Sequence, residues 1–150
     1  MYYVAFVDAF SKYTWLYLIS HKSQATSAFL QFKSLVENQI GYSLETLQTD
    51  NAKEFLSLTK VLNIYGISHI LTLPHTHEQN GSIERKHYHI VDTSLALLAA
   101  ASLPFRFWDE AFSSAVYIIN ILPTPVLKNL SPYENNFSCK PDHNFLKIFG

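Results

Sequence analysis

Residues 2–19 have the sequence YYVAFVDAFSKYTWLYLI. Two runs of aromatic, β-branched and aliphatic residues, Tyr2–Val7 and Tyr13–Ile19, flank the turn-like segment Ala9–Lys12. Because strands covered on both faces carry nearly continuous apolar residues, each run predicts a β-strand. The four-residue connection predicts that the two strands pair as an antiparallel hairpin.

Downstream of the hairpin, the apolar spacing changes from strand to helix. Apolar residues recur every three or four positions between Lys22 and Ile40, and Gly41 follows as a C-cap, so this stretch predicts an amphipathic helix. The remaining predicted elements are a strand at 44–49, a helix at 54–65, a strand at 67–72, a polar loop at 74–81, helices at 82–101 and 105–121, and a short turn at 132–137. Strands that come first and then alternate with helices predict an α/β fold with a mixed sheet flanked by helices.

The composition excludes several classes of protein. The 150 residues are 48% hydrophobic and 15% charged with a net charge of −1, so we expect a folded chain with weak overall attraction to phosphate. The single Cys139 excludes an internal disulfide, and His87 and His89 diverge on a helix, so a zinc site is not expected. No apolar run approaches the roughly 20 residues of a membrane helix and no signal peptide is recognisable. We therefore expect an intracellular protein of the nucleus or cytoplasm, with no membrane partner.

Two acidic residues occupy positions where α/β sheets place their chemistry. Asp50 ends a predicted strand, and ligands of open sheets bind beyond the carboxyl ends of strands. Glu84 lies in the first turn of a predicted helix. Paired carboxylates hold Mg²⁺, but an acid also interacts with a helix dipole, and an Asp after a strand often caps a turn. On spacing alone, the catalytic and the structural interpretations both stay open.

The sequence around these two acids contains recognisable motifs. Residues 47–55 are LQTDNAKEF and residues 74–86 are PHTHEQNGSIERK. They resemble the integrase catalytic core of copia-like retrotransposons, which has T-D-N-G-G-E-F and Q-N-G-x-x-E-R-K at these places. The resemblance covers essentially the whole chain. Further short motifs that match the family include Leu103-Pro104, Phe107-Trp108, Ala115-Val116-Tyr117, Leu122-Pro123-Thr124, Ser131-Pro132-Tyr133-Glu134 and Phe149-Gly150.

The resemblance implies a ribonuclease-H-like fold in residues 1–138, with 139–150 as a C-terminal extension of the core. It also implies an acidic triad, the DDE motif, that binds Mg²⁺ or Mn²⁺ and transfers phosphodiester bonds during DNA integration. Asp50 would be the second acid and Glu84 the third, both as catalytic residues and metal ligands. The implied partners are the DNA of the element ends and of the target, together with a homo-oligomer. The residues implied to contact DNA are Asn80, Arg85, Lys86, His87 and Tyr88.

The chain departs from the family pattern in ways that lower the expected activity. The first acid of the family lies one strand before the strand at Tyr2, so the resemblance implies an N-terminally truncated copy in which the first strand is missing. We expect Asp8 to bond nearby backbone amides of the hairpin instead of binding metal. Ala52 and Lys53 replace two glycines, which would strain the chain if either position needed a positive φ.

Two hypotheses about function follow from the resemblance and these departures. The first is a metal-dependent polynucleotidyl transferase whose catalysis is impaired in this copy. The second is a non-catalytic remnant that keeps the fold and weak DNA or protein binding.

Overall fold

The computed structural model describes residues 1–72 and 77–150, with side chains for residues 1–72 and 81–150. Contacts group the chain into two compact units. The first contains Met1–Val4 and Tyr17–Ser82, and the second contains Ala5–Leu16 and Ile83–Gly150. Within the described residues, none of the helices combines the length and the apolar character needed to cross a bilayer.

The first two strands are β1 (Tyr2–Val7) and β2 (Thr14–Ile19), which are hydrogen-bonded to each other. The connection Asp8–Tyr13 is too short for a parallel crossover, so the strands are antiparallel and the predicted hairpin is confirmed. The Asp8 amide donates a hydrogen bond to the Tyr13 carbonyl at 3.0 Å, and the Lys12 amide donates to the Asp8 carbonyl at 2.9 Å. These bonds close the connection at both ends.

The first unit carries the helix α1 (Ala25–Ile40), which a 3-10 turn precedes. Its buried residues follow the predicted spacing and are Ala25, Ala28, Phe29, Phe32 and Val36. Gly41 ends the helix with a φ of 77°, and its amide donates to the Glu37 carbonyl at 2.9 Å. Because this left-handed conformation disfavours other residues, the glycine fixes where the helix ends.

The strands β3 (Thr46–Thr49) and β4 (Ser68–Leu71) form a parallel pair with Thr46 opposite Ser68. The single helix predicted between them is two helices, α2 (Lys53–Leu56) and α3 (Leu58–Ile64). The Ser57 hydroxyl donates to the Glu54 carbonyl at 3.0 Å, and such local bonds compete with helix continuation. Among the described residues, the strands form two separate two-stranded sheets, β1-β2 and β3-β4, in place of the single mixed sheet that the sequence predicted.

The second unit is mainly helical, with α4 (His77–Ala100), α5 (Trp108–Ile121) and α6 (Pro132–Phe137). The loop predicted at 74–81 is wrong from residue 77 onward, because α4 begins five residues before the expected start. Those five residues lack apolar periodicity, so the pattern carried no helix signal there. Residues 74–76 of that predicted loop lie outside the described part of the chain.

A buried amide joins α5 to β2. Asn120 is only 4% exposed, and its Oδ1 accepts a hydrogen bond from the Thr14 amide at 2.9 Å. Its Nδ2 donates to the Thr14 carbonyl at 2.8 Å. A side-chain amide carries the same donor and acceptor as a peptide group, so Asn120 pairs with Thr14 as a neighbouring strand would.

Removal of this amide should destabilise the fold. Asn120→Ala leaves two buried backbone groups unpaired, each at a cost of about 1–3 kcal/mol, so we expect the free energy of unfolding to fall by about 2–6 kcal/mol. Urea denaturation followed by circular dichroism measures the change. Asn38→Ala, at an exposed position on α1, is the matched control and should change stability by about 0.5 kcal/mol or less. Equal effects of the two variants would contradict the role of Asn120.

Candidate functional site

Asp50 directly follows β3 and is exposed at the carboxyl end of that strand. Its Oδ1 accepts a hydrogen bond from the Ala52 amide at 3.1 Å, which is the turn-capping role that the sequence left open. No hydrogen bond from the described residues reaches its Oδ2. One carboxylate oxygen of Asp50 therefore holds the turn.

The two residues that replace family glycines are not strained. Ala52 has a φ of −68° and is the N-cap of α2, and Lys53 is the first residue of that helix. Neither residue is among the described ones with a positive φ. The possible strain considered from the sequence therefore does not arise, and the turn that carries Asp50 forms without glycine.

A histidine supports the strand end that carries Asp50. The Nε2 atom of His69, on β4, lies 2.8 Å from the Thr49 hydroxyl, and its Nδ1 lies 2.9 Å from the Thr59 hydroxyl of α3. Because the Thr49 hydroxyl donates to the Asp50 carbonyl at 3.0 Å, we assign the proton to Nε2 and make Nδ1 the acceptor for Thr59. A neutral imidazole thus bridges β3, β4 and α3, and burial lowers the pKa of His69.

The lowered pKa of His69 predicts acid sensitivity. Between the folded pKa and the ordinary value of 6.5, the unfolded chain binds more protons than the folded chain. The stability contributed by the neutral ring is therefore complete above pH 6.5 and is lost as the pH falls through the folded pKa. Urea denaturation of the wild type and His69→Gln between pH 8 and pH 5 tests this, and the variant should lose part of the pH dependence. The same pH dependence in both proteins would contradict it.

Glu84 is exposed and is the eighth residue of α4. The prediction that it lies in the first turn of the helix is therefore wrong, because α4 begins at His77, about two turns earlier. Tyr88, one helical turn further on, is 65% exposed and therefore shares the solvent-facing side of the helix with Glu84. The ring of His87 lies 5.9 Å from the ring of Tyr88 at an interplanar angle of 64°. Within residues 81–150 and 1–72, no hydrogen bond or ion pair to the Glu84 carboxylate is formed.

The basic residues after Glu84 differ in their surroundings. Arg85 is exposed, whereas Lys86 is half-buried and lies on the side of α4 that carries the buried Ile90. The Lys86 Nζ donates to the Lys12 carbonyl at 3.4 Å, and burial together with the charge of Lys12 lowers the pKa of Lys86. The side chain of Asn80, also predicted to contact DNA, lies outside the described residues.

Asp8 has the role predicted from its place in the hairpin. Its Oδ2 accepts hydrogen bonds from the Ser11 amide at 2.6 Å and from the Phe10 amide at 3.2 Å. The carboxylate therefore stabilises the turn between β1 and β2. Its bonds to the amides of residues 10 and 11 confirm the expectation that Asp8 serves the hairpin.

Asp50 belongs to the first compact unit and Glu84 to the second, so their convergence on one metal stays a prediction. No group of three His, Cys, Asp or Glu side chains in the described part of the chain is arranged to hold a metal ion. Asp50 and Glu84 are themselves exposed carboxylates, which are oxygen donors of the predicted kind. Sequence reasoning missed His69 and Lys12, whose partners become visible only in the folded chain.

The chain is similar to three plant transposon proteins over 99% of its length. It is 51% identical to the "Retrovirus-related Pol polyprotein from transposon RE2" of Arabidopsis thaliana and 48% identical to that from transposon RE1 of the same plant. It is 34% identical to the corresponding polyprotein from transposon TNT 1-94 of Nicotiana tabacum. The chain spans about a tenth of the length of these relatives, covering 10–11% of each. No family model matches it.

Solved integrase structures share its fold. The simian T-cell lymphotropic virus intasome in complex with PP2A regulatory subunit B56 gamma superposes with a TM-score of 0.72 at 19% identity, covering 97% of this chain and 50% of that one. The HTLV-2 integrase catalytic core domain in complex with magnesium, in its trimeric form, has a TM-score of 0.66 at 25% identity and covers 88% and 82%. The catalytic core domain of BIV integrase has a TM-score of 0.67 at 20% identity, covering 91% and 85%. The predicted ribonuclease-H-like α/β fold is confirmed.

Proposed function

Because the chain is an integrase core-like domain related to the Pol polyproteins of copia-like retrotransposons, we propose that it binds DNA and a divalent cation. The observation that carries this proposal is the surface of α4, which presents Glu84, Arg85 and Tyr88 to solvent within five residues. A carboxylate for a cation, a guanidinium for phosphate and a ring for stacking are the groups that such a function needs. The trimeric form of the HTLV-2 core supports a homo-oligomer as a further partner.

The donor chemistry of Asp50 and Glu84 fits Mg²⁺ or Mn²⁺. Both side chains are exposed carboxylates, and hard cations of this kind prefer oxygen ligands. The magnesium complex of the HTLV-2 core domain supports the same choice of ion. When bound in such a site, the ion supplies activation of a water or a DNA 3′-hydroxyl and stabilises the leaving oxygen. Asp50 is held by the Ala52 amide, and Thr49 and His69 support the strand end before it, so its carboxylate would provide one ligand of such a site.

We propose that phosphodiester transfer by these 150 residues is impaired. The described residues offer two exposed carboxylates at the proposed site and no third metal-binding side chain arranged with them. Asp8 is engaged with the amides of Phe10 and Ser11. Two carboxylates can hold a cation whose other ligands are waters, but they fix its position less rigidly than three. This favours DNA binding without efficient DNA joining, and it keeps the non-catalytic remnant as the alternative.

A shared metal site makes a prediction that does not depend on activity. Paramagnetic Mn²⁺ should broaden the amide signals of residues 50–52 and 84–86 together, and Asp50→Asn or Glu84→Gln should each reduce the broadening in both segments. Heteronuclear NMR at increasing Mn²⁺ measures this. Glu45→Gln, which removes an exposed acid just before β3, is the control and should change neither segment. Broadening of one segment alone, or loss confined to the mutated one, would contradict a shared site.

DNA binding should be weak and electrostatic. The net charge is −1, so affinity depends on a few local cations, and we expect a Kd of about 10⁻⁴–10⁻⁶ M that weakens as salt rises. Mg²⁺ should strengthen binding by screening the two carboxylates. Arg85→Gln should weaken binding and make the salt dependence shallower by about one unit of log–log slope. Fluorescence anisotropy on duplex DNA measures each effect.

Arg106 provides the matched control for Arg85. It lies over the Phe107 ring at 4.9 Å, outside α4 in the chain, and Arg106→Gln removes the same charge. It should leave the affinity close to that of the wild type. Equal weakening by both variants would show that overall charge, not the surface of α4, governs binding.

A further inference from the structure

Two lysines meet at the turn between β1 and β2. Lys12 lies in that turn and Lys86 lies on α4, and both belong to the second compact unit. The Lys86 Nζ donates to the Lys12 carbonyl at 3.4 Å, while the Lys12 Nζ donates to the Ala9 carbonyl at 2.6 Å. The two ammonium groups, the lysine pair, are therefore both anchored on carbonyls of one short turn.

The lysine pair has no carboxylate partner within the described side chains. The ion pairs there are formed by Lys22 with Glu54 and by Lys33 with Glu37. The acid nearest in sequence, Asp8, uses its Oδ2 on backbone amides of the turn. Two like charges held together without a counter-charge repel each other, and this repulsion adds to burial in lowering the pKa of Lys86.

The turn holds Lys12 in a left-handed backbone conformation, which glycine adopts more readily than lysine. Lys12 has a φ of 60°, in the left-handed region where glycine is preferred. The turn is also fixed from α6, because the Ser11 hydroxyl donates to the Asn136 Oδ1 at 3.0 Å and the Asn135 Nδ2 donates to the Phe10 carbonyl at 3.4 Å. The chain thus places a long cationic side chain at a rigid position where glycine would be more stable.

We infer that the lysine pair is a binding site for one phosphate group of the DNA backbone, an inference that rests on the proposed DNA-binding function. Each ammonium group has three donors and uses one on a turn carbonyl, which leaves two each for the oxygens of a phosphate. An anion placed between the two charges removes their repulsion and forms charge-assisted hydrogen bonds with both. Contacts of this kind fix the position of the duplex without reading its sequence.

Lys12→Gly separates the binding role from the structural one. It removes the cation and relieves the positive φ, so the thermal midpoint should rise while DNA affinity falls about three- to tenfold. Lys86→Gln should weaken binding by a similar factor. Because both lysines hold one phosphate, the double variant should lose less than the product of the two single effects.

Lys128→Gly is the matched control for Lys12→Gly. Lys128 is an exposed lysine of the same unit with a φ of 55°, so its replacement removes the same charge and relieves the same kind of strain. It should raise the thermal midpoint and leave DNA affinity within about twofold of the wild type, because it lies outside the lysine pair. Equal loss of affinity in the two glycine variants would overturn the inference.

Anisotropy on duplex DNA, together with an NMR titration of inorganic phosphate, distinguishes the possible failures. If the wild type binds DNA and Lys12→Gly binds equally well, the lysine pair is not a DNA site, although the proposed function stands. If the wild type does not bind DNA but phosphate shifts the signals of residues 12 and 86, the proposed function fails and the pair is a site for free phosphate. If neither ligand binds, both proposals fail.

Discussion

The side-chain amide of Asn120 occupies the hydrogen-bonding edge of β2 at Thr14, where a helix takes the place of a neighbouring strand. A buried peptide group without a partner is costly, so β2 requires a donor and an acceptor at this point. Asn120 supplies both from one side chain. Because Thr14 is the first residue of β2, this contact also fixes where the turn ends and the strand begins.

Further hydrogen bonds and ring contacts hold this turn against other elements of the second unit. Ser11 accepts the Tyr13 amide at its hydroxyl and donates to Asn136, so the turn is tied to α6 as well as to α5. The Tyr13 ring lies 4.7 Å from the ring of Trp15 and 5.3 Å from that of Phe137, which packs the same connection against apolar surface. The lysine pair depends on this rigidity, because a mobile turn would let the two ammonium groups separate.

Sequence patterns predicted best the elements whose bounds depend on residues adjacent in the chain. The bounds of β1 agree with the prediction because an apolar run marks them directly. The turn predicted at 132–137 has the right bounds but is a short helix, α6, which Ser131 caps and Pro132 begins. The start of α4 was misplaced because the sequence of residues 77–81 has no apolar periodicity. The division between α2 and α3 falls at Ser57, which has helical φ and ψ angles of −65° and −25° and carries no breaking residue that a pattern could detect. Such features have no periodic signature.

The candidate site was predictable only in part, for a related reason. The family motifs identified Asp50 and Glu84 as candidate site residues. No motif includes His69, which contacts residues 10 and 20 positions away in the chain. The Asn120 contact joins residues 106 positions apart, beyond the reach of any local pattern. Contacts between residues so far apart in the sequence form only when the chain folds. The sequence alone shows which residues are present but not which of them contact each other.

The geometry of α4 separates the two kinds of chemistry proposed for it. Glu84 and Lys86 are two residues apart, and at 3.6 residues per turn their side chains leave the helix about 200° apart. Glu84 faces solvent, while Lys86 reaches the turn at Lys12. A phosphate on the lysine pair is therefore on the other side of the helix from a cation on Glu84. On the proposed function, the lysine pair therefore holds a phosphate that is not the one attacked. Loss of the lysine pair should then weaken DNA binding without changing how Asp50 and Glu84 hold a cation.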